Sequence, residues 1–411
     1  MQLLRTGARG PAVAEVRCAL RSFGLLPPAT PGAPDDQYDG PVQDAVRAFQ
    51  QGRGLITDGV VGPETYRALR EAGWSLGDRM LGLMISAPMA GDDVSMLQER
   101  LLELGFDPGR PAGVFDEQTQ RALRGFQREY GLIQDGICGP ATLRALRQLG
   151  RKVTGGRPGL LREQERVRTS GPRLRGKRIV IDPGHGGTDR GVMVAGVAEA
   201  DLMWDLARRL EGRMAATGME ALLSRGERSC PAEADRAAFA NAAGADLLLS
   251  LHTDANHSMH AQGLATYHFG TGDGVTSTVG EALAGLIHRE LVARTRMLDC
   301  RAQPRTWEML RLTRMPAVRI EVGYLTNLGD RRKLLDPVFR DVVAEGILVA
   351  VKRLYLLGEN DQPTGTFTFS DVLARELARA EGPVEGAIRL APWPAPATRQ
   401  SAARRCSGTG W

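Results

Sequence analysis

The pattern of hydrophobic and polar positions differs between the two ends of the chain. In the N-terminal part, apolar residues recur every three to four positions, as Val16, Leu20 and Phe23 do. From Lys177 onward, short apolar runs alternate with longer amphipathic stretches. Helical spacing predicts α-helices, and apolar runs separated by helical segments predict an α/β sheet. The sequence therefore predicts helical modules followed by an α/β domain.

The N-terminal part contains an internal repeat. The segment FQQGRGLITDGVVGPETYRAL at 49–69 returns at 126–146 as FQREYGLIQDGICGPATLRAL. Each copy predicts an apolar helix, a second helix ending at the FQ pair, a turn and a third short helix. Pro63 and Pro140 stand at the start of the third helix, where a residue without an N–H group is tolerated. We expect two three-helix modules, over 1–75 and 88–150.

The α/β part is expected over 177–357. The predicted strands are KRIVIDPG, MEALLSR, ADLLLSLHTDA, LATYHFG and PAVRIEVGYLTN, and the predicted helices span 199–217, 232–243, 279–295 and 338–356. Residues 151–176 are rich in glycine and arginine, which predicts a linker. Residues 358–411 predict a tail with a short helix near 370–380, followed by a disordered segment.

Composition and charge narrow the classes of function. Hydrophobic residues make up 42% and charged residues 25% of the 411 positions, which is typical of a soluble globular protein. The net charge of +5 is spread over mixed acids and bases, and no basic stripe is interleaved with aromatic residues, so no nucleic-acid partner is expected. The five cysteines are scattered and form no CxxC pair, so neither a disulfide framework nor a cysteine metal cluster is expected.

The N-terminal residues MQLLRTGARGPAVAEVRCAL include no apolar run of signal-peptide length. No stretch of about 18 apolar residues occurs further along, so no membrane span is expected. These two features predict a cytoplasmic protein. Such a protein would reach a cell wall or the extracellular space only by a non-classical route.

Four residues of the α/β part are candidates for chemistry. His185 follows the first predicted strand between glycines, and His252 ends a buried strand. Glu199 opens a helix, and Glu321 interrupts the apolar run AVRIEVGYL. Functional groups gather at the carboxyl ends of strands in such sheets. Two imidazoles and a carboxylate are a suitable ligand set for catalytic zinc, and a further carboxylate can act as general base.

Each of these residues also has a simpler interpretation when taken alone. A histidine after a strand often only makes loop hydrogen bonds, and Glu199 suits the first turn of a helix because of the helix dipole. Glu321 could form an ion pair with Arg319 or Arg314. The four residues together, at strand ends of one domain, favour a metal site with Glu321 as its base.

The repeats resemble a three-helix peptidoglycan-binding domain over about 10–70 and 91–147, through the D-G-x-x-G-P-x-T pattern present in both copies. The alternative is that the modules are only spacers or protein-docking surfaces, because the pattern itself assigns no sugar-contacting residue.

Residues 178–355 resemble the zinc-dependent N-acetylmuramoyl-L-alanine amidase family (amidase type 3). Four segments carry the resemblance: IVIDPGHGGTDRG, AEADLMWDLARRLE, SRGERSCPAEADRAAFANAAGADLLLSLHTDA and TRMPAVRIEVGYLTN. It implies an α/β catalytic domain, a mixed sheet flanked by helices, preceded here by two small all-α three-helix modules. It further implies Zn²⁺ held by His185, Glu199 and His252, catalytic Glu321, and hydrolysis of the amide between N-acetylmuramic acid and L-alanine in peptidoglycan or muropeptides.

The sequence departs from the family at two positions near these motifs. Ala200 stands where the family often has lysine, and Asp254 stands where it often has asparagine. We expect Asp254 to add negative charge near the metal. We expect lesser roles for the other polar residues: His257 and His260 on a substrate-side loop, His268 facing outward from a strand, and Arg236 and Asn241 holding the fold together.

Two alternatives stay open. The chain could be a non-catalytic cytoplasmic regulator of peptidoglycan precursor synthesis, with the same domains serving as binding surfaces for a protein partner in cell-wall synthesis. It could also be a phage-type lysin. Thr364, Thr366 and Thr368 lie in the predicted tail, and we list them as hypothetical phosphorylation sites.

Overall fold

The computed structural model describes residues 3–29, 35–84, 88–149, 163–165, 167, 173–271 and 275–356. The predicted tail lies outside the described residues, and with it Thr364, Thr366 and Thr368. Most of the predicted linker also lies outside them.

Each repeat forms three helices. Their bounds are α1 Pro11–Ser22, α2 Gly40–Gly52 and α3 Pro63–Ala72 in the first module, and α4 Asp92–Glu103, α5 Glu117–Glu129 and α6 Pro140–Gln148 in the second. Pro63 and Pro140 begin α3 and α6, as predicted. Asp39 and Asp116 cap α2 and α5, because their side chains accept hydrogen bonds from backbone N–H groups of the first turn.

The repeated FQ and DG pairs meet in the same way in both modules. The buried Gln50 accepts a hydrogen bond from the Gly59 N–H at 2.8 Å, and donates to Asp58 at 2.8 Å. Gly59 has a φ of 73°, and a Cβ there would lie 2.8 Å from a Gln43 side-chain atom. Gln127 makes the same contacts in the second module. The motif is therefore structural: it joins the end of one helix to the turn that starts the next.

The C-terminal domain contains a six-stranded mixed sheet in the order β4-β1-β5-β8-β6-β7. The strands β4, β1, β5 and β8 are parallel, whereas β6 is antiparallel to β8 and parallel to β7. The strand bounds are β1 Arg178–Pro183, β4 Glu220–Leu223, β5 Leu247–Asp254, β6 Leu264–Phe269, β7 Asp299–Arg305 and β8 Ala317–Tyr324. A short hairpin, β2 Met193–Val194 and β3 Val197–Ala198, precedes the first helix of the domain.

Helices cover both faces of this sheet. Their bounds are α7 Glu199–Ala216, α8 Glu233–Ala242, α9 Thr278–Thr295, α10 Glu308–Leu312, α11 Leu328–Leu335 and α12 Pro337–Leu356. Apolar side chains of α7, α9 and α12 form a core with one face of the sheet, and those of α8 and α10 pack on the other face. Successive residues of a strand point to opposite faces of the sheet, and here helices cover both faces. A central strand such as LLLSL is therefore apolar at nearly every position. Leu174, inside the predicted linker, is buried in the first of these cores.

The prediction was wrong for His268. It lies on β6, which is an interior strand between β8 and β7, and its side chain is 4% exposed. The neighbouring Thr266, two residues earlier on the same face, donates a hydrogen bond to the Ala284 carbonyl of α9. His268 therefore faces a covering helix rather than solvent.

The two modules pack against the segment that precedes β8. Arg110 of the second module donates hydrogen bonds to the carbonyls of Leu310 at 2.7 Å and Thr313 at 2.6 Å. Arg311 of α10 contacts both modules, through Glu71 at 2.5 Å and the Ala112 carbonyl at 2.8 Å. This interface lies at the edge of the sheet where β5 and β8 begin, opposite their carboxyl ends.

Within the part of the chain that the structure describes, no helix combines the length and apolar character needed to cross a membrane.

Candidate metal centre

Three of the four predicted residues converge at the carboxyl ends of β1 and β5. His185 lies in the loop after β1, Glu199 is the first residue of α7, and His252 lies near the end of β5. One donor atom from each residue can be chosen so that all three lie within 4.8 Å of one another. Glu199 is central: its Oε2 is 3.3 Å from Nε2 of His185, and its Oε1 is 3.0 Å from Nδ1 of His252. Among the described residues this is the cluster that could hold a metal ion.

The backbone at His185 is held in a left-handed conformation, with a φ of 58°. Such a conformation is uncommon for a residue with a side chain and needs support from its surroundings. Arg236 gives that support, because its guanidinium donates a 2.9 Å hydrogen bond to the His185 carbonyl. The Nδ1 atom of the imidazole is 2.8 Å from Oδ2 of Asp189. Backbone and ring are therefore both oriented so that Nε2 faces Glu199.

Glu199 is almost fully buried, with 1% of its surface exposed. Besides the two imidazoles, its oxygens accept hydrogen bonds from the backbone N–H groups of Thr253 at 2.9 Å and Val192 at 3.1 Å. Burial by itself would raise the pKa of Glu199, but the hydrogen bonds and charges of His185 and His252 outweigh it and hold the pKa far below its usual range. The site thus contains a fixed carboxylate anion.

The two histidines have different electrostatic surroundings. Burial, assisted by the positive charge of Arg319, lowers the pKa of His252 to about 4, so this imidazole is neutral at physiological pH. The hydrogen bond to Glu199 raises the pKa of the more exposed His185. Neutral imidazole is the form that binds metals, so His252 is prepared for that role.

Space around the His252 ring is provided by a glycine. A Cβ atom built on Gly184 would lie 2.3 Å from Cε1 of His252, well inside van der Waals contact. The residue directly after β1 therefore has to lack a side chain for His252 to occupy its position.

Glu321 lies beside this group on the neighbouring strand. In the pairing of β5 with β8, Glu321 is directly opposite His252. Its carboxylate is 3.3 Å from the Arg319 guanidinium, whereas Arg314 pairs with Asp116 instead. Burial raises the pKa of Glu321 to about 7 in spite of the Arg319 charge. A carboxyl group with this pKa can accept and release protons near neutral pH.

A buried polar network lies under the site, and of its members the sequence analysis named only Arg236, as a residue that holds the fold together. Asp182 of β1 accepts hydrogen bonds from Ser250 at 2.7 Å and from Arg236 at 3.0 Å. Arg225 donates to the carbonyls of Pro183 at 2.7 Å and Gly184 at 3.1 Å. A charged residue inside an apolar strand, as Asp182 is in RIVIDP, was the available signal for this network.

The remaining polar candidates lie outside the cluster. Asn241 donates to the Leu312 carbonyl and accepts from the Arg314 N–H, so it joins α8 to the segment before β8. His257 and His260 are exposed in the loop that follows β5. The negative charge of Asp254 helps to raise the pKa of Glu321, after burial itself. Asp254 therefore influences the candidate base.

Comparison with known proteins places the chain in a family. Residues 179–353 match the family described as N-acetylmuramoyl-L-alanine amidase, and residues 9–69 and 90–146 each match the "Putative peptidoglycan binding domain". The chain is 54% identical over 397 residues to the N-acetylmuramoyl-L-alanine amidase CwlM of Mycobacterium tuberculosis, which covers 94% of this chain and 97% of that protein. The chain belongs to the N-acetylmuramoyl-L-alanine amidase family. The family predicted from the four sequence motifs is thus confirmed.

Two further relatives match a smaller share of the chain. The N-acetylmuramoyl-L-alanine amidase LytC of Bacillus subtilis is 33% identical over 172 residues, which is 42% of this chain and 34% of LytC. The crystal structure of an N-acetylmuramoyl-L-alanine amidase from Clostridium difficile 630 is 29% identical, covering 43% of this chain and 95% of that one, with a TM-score of 0.41.

Proposed function

We propose that this member of the family is a zinc-dependent amidase that hydrolyses the amide between N-acetylmuramic acid and L-alanine. The observation that carries the proposal is the meeting of His185, Glu199 and His252, with Glu321 opposite His252 on the next strand. Proteins that only bind peptidoglycan have no need of two imidazoles and a carboxylate within 4.8 Å of one another.

The donor atoms fit zinc in type and spacing. Zinc takes histidine nitrogen and carboxylate oxygen at about 2.0–2.2 Å in a tetrahedron, so neighbouring donors should lie roughly 3.3 Å apart. Oε2 of Glu199 is 3.3 Å from the His185 nitrogen and Oε1 is 3.0 Å from the His252 nitrogen, and one donor atom from each of the three residues lies within 4.8 Å of the others. Asp189 holds the far nitrogen of His185, as carboxylates commonly do behind metal-binding histidines. Three protein ligands leave a fourth position for water or substrate.

When bound, zinc supplies Lewis-acid chemistry, which polarises the scissile carbonyl and acidifies water. The chain's own residues carry the protons. Glu321 as a carboxylate accepts the proton of the attacking water, and as a carboxylic acid it returns that proton to the departing L-alanine nitrogen. A pKa of about 7 allows both steps near neutral pH. Arg319 pairs with the Glu321 carboxylate at 3.3 Å and limits the rise of its pKa.

The two helical modules would act by tethering. If they bind the polymer, they raise the local concentration of substrate at the catalytic domain without touching the reacting bond. Their interface with the catalytic domain lies at the opposite edge of the sheet from the metal-donor residues, so docking leaves the site open.

The decisive experiment uses purified full-length protein on soluble muropeptides. Zinc-loaded protein should release free stem peptide, detected by mass spectrometry, and chelator-treated protein should not until zinc is restored. The matched control is Glu321→Gln, which should retain one zinc ion and release no peptide. If wild-type protein supplied with zinc neither retains the metal nor releases peptide, the amidase proposal is wrong.

The same experiment separates the amidase from the regulator considered above. A protein that acts only as a binding surface has no requirement for the three metal-donor residues and Glu321. The presence of all four residues in this chain therefore favours the enzyme. Retention of zinc without peptide release from any muropeptide would instead favour the non-catalytic regulator.

A further inference from the structure

We propose that the first module carries a binding groove for an extended peptide with an aliphatic side chain, and that the second module keeps its equivalent surface closed with its own chain. This site lies outside the catalytic domain. It does not depend on zinc or on amide hydrolysis.

The groove lies between α1 and α3 of the first module and has about 800 Å³ of space, open solvent at its mouth included. Its lining is mainly apolar and aromatic: Val16, Ala19, Phe23, Tyr66, Leu69 and Trp74. The charged side chains of Glu15 and Arg70 stand at the rim, and Trp74 is 39% exposed. The contacts that Arg67 and Glu71 of α3 make with the catalytic domain use another face of the helix. No described residue of the catalytic domain lines the groove, so docking of that domain leaves it open.

The second module has the same helices but a filled groove. Arg100 of α4 occupies the position that corresponds to Ala19, and Glu103 the position of Ser22. The Arg100 guanidinium pairs with Glu103 at 2.6 Å and donates to the Leu146 carbonyl of α6 at 3.2 Å. A long side chain thus bridges the two helices where the first module has a methyl group.

The second module also shows what covers this surface. Residues 76–77, in the segment between α3 and α4, lie against Leu143 and Arg147. These two residues are the counterparts of Tyr66 and Arg70 in the first module. Leu76 packs on the core of the module, and a Cβ built on Gly77 would be 2.9 Å from both a Leu143 methyl and the Arg147 guanidinium. Arg147 donates to the Leu76 carbonyl at 3.5 Å. The surface of the second module is therefore covered by a peptide segment. That segment contributes one aliphatic side chain, a closely packed glycine and a carbonyl group that faces an arginine.

The first module offers matching chemistry to a peptide in trans. Arg70 is exposed at the position from which Arg147 reaches a carbonyl, so it can donate to a peptide carbonyl or carboxylate. Glu15, which accepts a 2.7 Å hydrogen bond from Tyr66, supplies the opposite charge for N–H or ammonium groups. The apolar floor of Val16, Ala19 and Leu69 matches a leucine-sized side chain better than a hydroxyl-bearing sugar, because buried hydroxyl groups need hydrogen-bond partners. These features favour a peptide over a glycan.

The probe is a fluorescein-labelled synthetic peptide with the sequence of residues 73–79, GWSLGDR, titrated into the full-length protein and followed by anisotropy. We expect saturable binding to the wild-type protein and at least a tenfold loss when aspartate replaces the leucine of the peptide. Ala19→Arg combined with Ser22→Glu rebuilds the filled arrangement and should reduce affinity at least tenfold. Arg70→Gln, a surface change that leaves the core intact, should reduce it by about tenfold through the lost charged hydrogen bond.

The control variant is Ile56→Ala, since Ile56 is an apolar residue of the same module that is 56% exposed and outside the groove. It should bind the peptide as the wild-type protein does. An oligomer of N-acetylglucosamine tests the rival ligand in the same titration. The proposal is overturned if the peptide does not bind at millimolar concentration, if the filled-groove and Arg70→Gln variants bind it unchanged, or if the glycan displaces it.

Discussion

Glu321 is the residue whose chemistry depends most on its surroundings. Burial raises its pKa to about 7, and the proposed reaction begins with its ionised form. We expect kcat/KM on soluble muropeptides to fall about tenfold for each pH unit below that pKa, because the ionised fraction falls by this factor. A pH–rate profile of the zinc-loaded protein measures this. The charge of bound zinc favours the carboxylate form, so the limb should lie at or below about pH 7, and a profile without an acidic limb would contradict the role of Glu321.

The same burial predicts a stability effect of Glu321→Gln in metal-free protein. The folded-state pKa is above the unfolded value, so the glutamate contributes stability that is present below pH 4.5 and lost as the pH rises through about 7. Glutamine does not ionise, so the variant should be more stable than wild type at pH 8, by a few kcal/mol at most since one pKa unit is about 1.4 kcal/mol. At pH 4 the two should unfold alike.

Thermal unfolding at both pH values, with chelator present, tests this prediction. The matched control is Glu220→Gln, an exposed strand residue whose replacement should change stability by less than about 1 kcal/mol. Catalytic turnover of Glu321→Gln should fall by about 10²–10⁴-fold, the usual contribution of a general base. A variant that is less stable than wild type at pH 8 would mean that the Arg319 pair outweighs the burial of the carboxylate.

The turn from β1 into the His185 loop is an element whose shape is set by packing. A Cβ on Gly184 would be 2.3 Å from the His252 ring, so Gly184→Ala must displace that ring. We expect this variant to lose zinc binding and about 1–3 kcal/mol of stability, as overpacked sites do. Gly212→Ala in α7 is the control, because a Cβ there meets nothing within 4 Å.

Gly212→Ala should bind zinc normally and gain up to about 1 kcal/mol, from the higher helix propensity of alanine. Zinc content after dialysis and thermal unfolding give both readouts. Normal zinc content in Gly184→Ala would show that the His252 ring has another position from which to bind.

The elements that the sequence analysis missed have a common physical origin. β7 is an edge strand with the sequence DCRAQPR, and it contains no apolar run because much of it stays accessible. Pro304 is tolerated there, since an edge strand pairs on one side only. The short helices α10 and α11 have too few turns for a periodic signal. They form because tertiary contacts hold the segments on either side of them.

At the scale of the whole molecule, Arg311 joins all three folded units. It pairs with Glu71 of the first module and donates to the carbonyls of Ala112 and Gly113 in the second. Its side chain is 13% exposed, and Arg311→Ala leaves the partly buried Glu71 carboxylate with only the more distant Arg67, 3.8 Å away, so docking should weaken by a few kcal/mol. Small-angle scattering should then show a larger radius of gyration.

Arg314→Ala is the control for this change. Arg314 pairs with Asp116 in a more exposed position, with 37% of its side chain accessible, so its loss should leave the scattering unchanged. Activity on soluble muropeptides should be the same in both variants, because the interface lies at the sheet edge opposite His185 and His252. Loss of that activity in Arg311→Ala would show that docking supports the site itself.

The sequence by itself determined the repeat, the succession of central strands and helices along the chain, the family and the identity of the four site residues. These features depend on local signals: helical and strand periodicity, proline and glycine at turns, and motifs of a few adjacent residues such as DPGHGG. The edge strand, the burial of His268 and the network of Asp182 with Arg236 were decided only by the tertiary structure. They depend on which strands become neighbours and which helix covers each face, and these pairings join residues far apart in the chain.

The four site residues show what the sequence decided and what the tertiary structure decided. Sequence motifs identified His185, Glu199, His252 and Glu321, and their roles stay proposals until zinc and turnover are measured. Only the folded structure decided that Glu199 lies between the two imidazoles and that Glu321 is opposite His252 with a pKa near 7. Distance and burial arise when separate strands pack together, so they are absent from any single segment of the sequence.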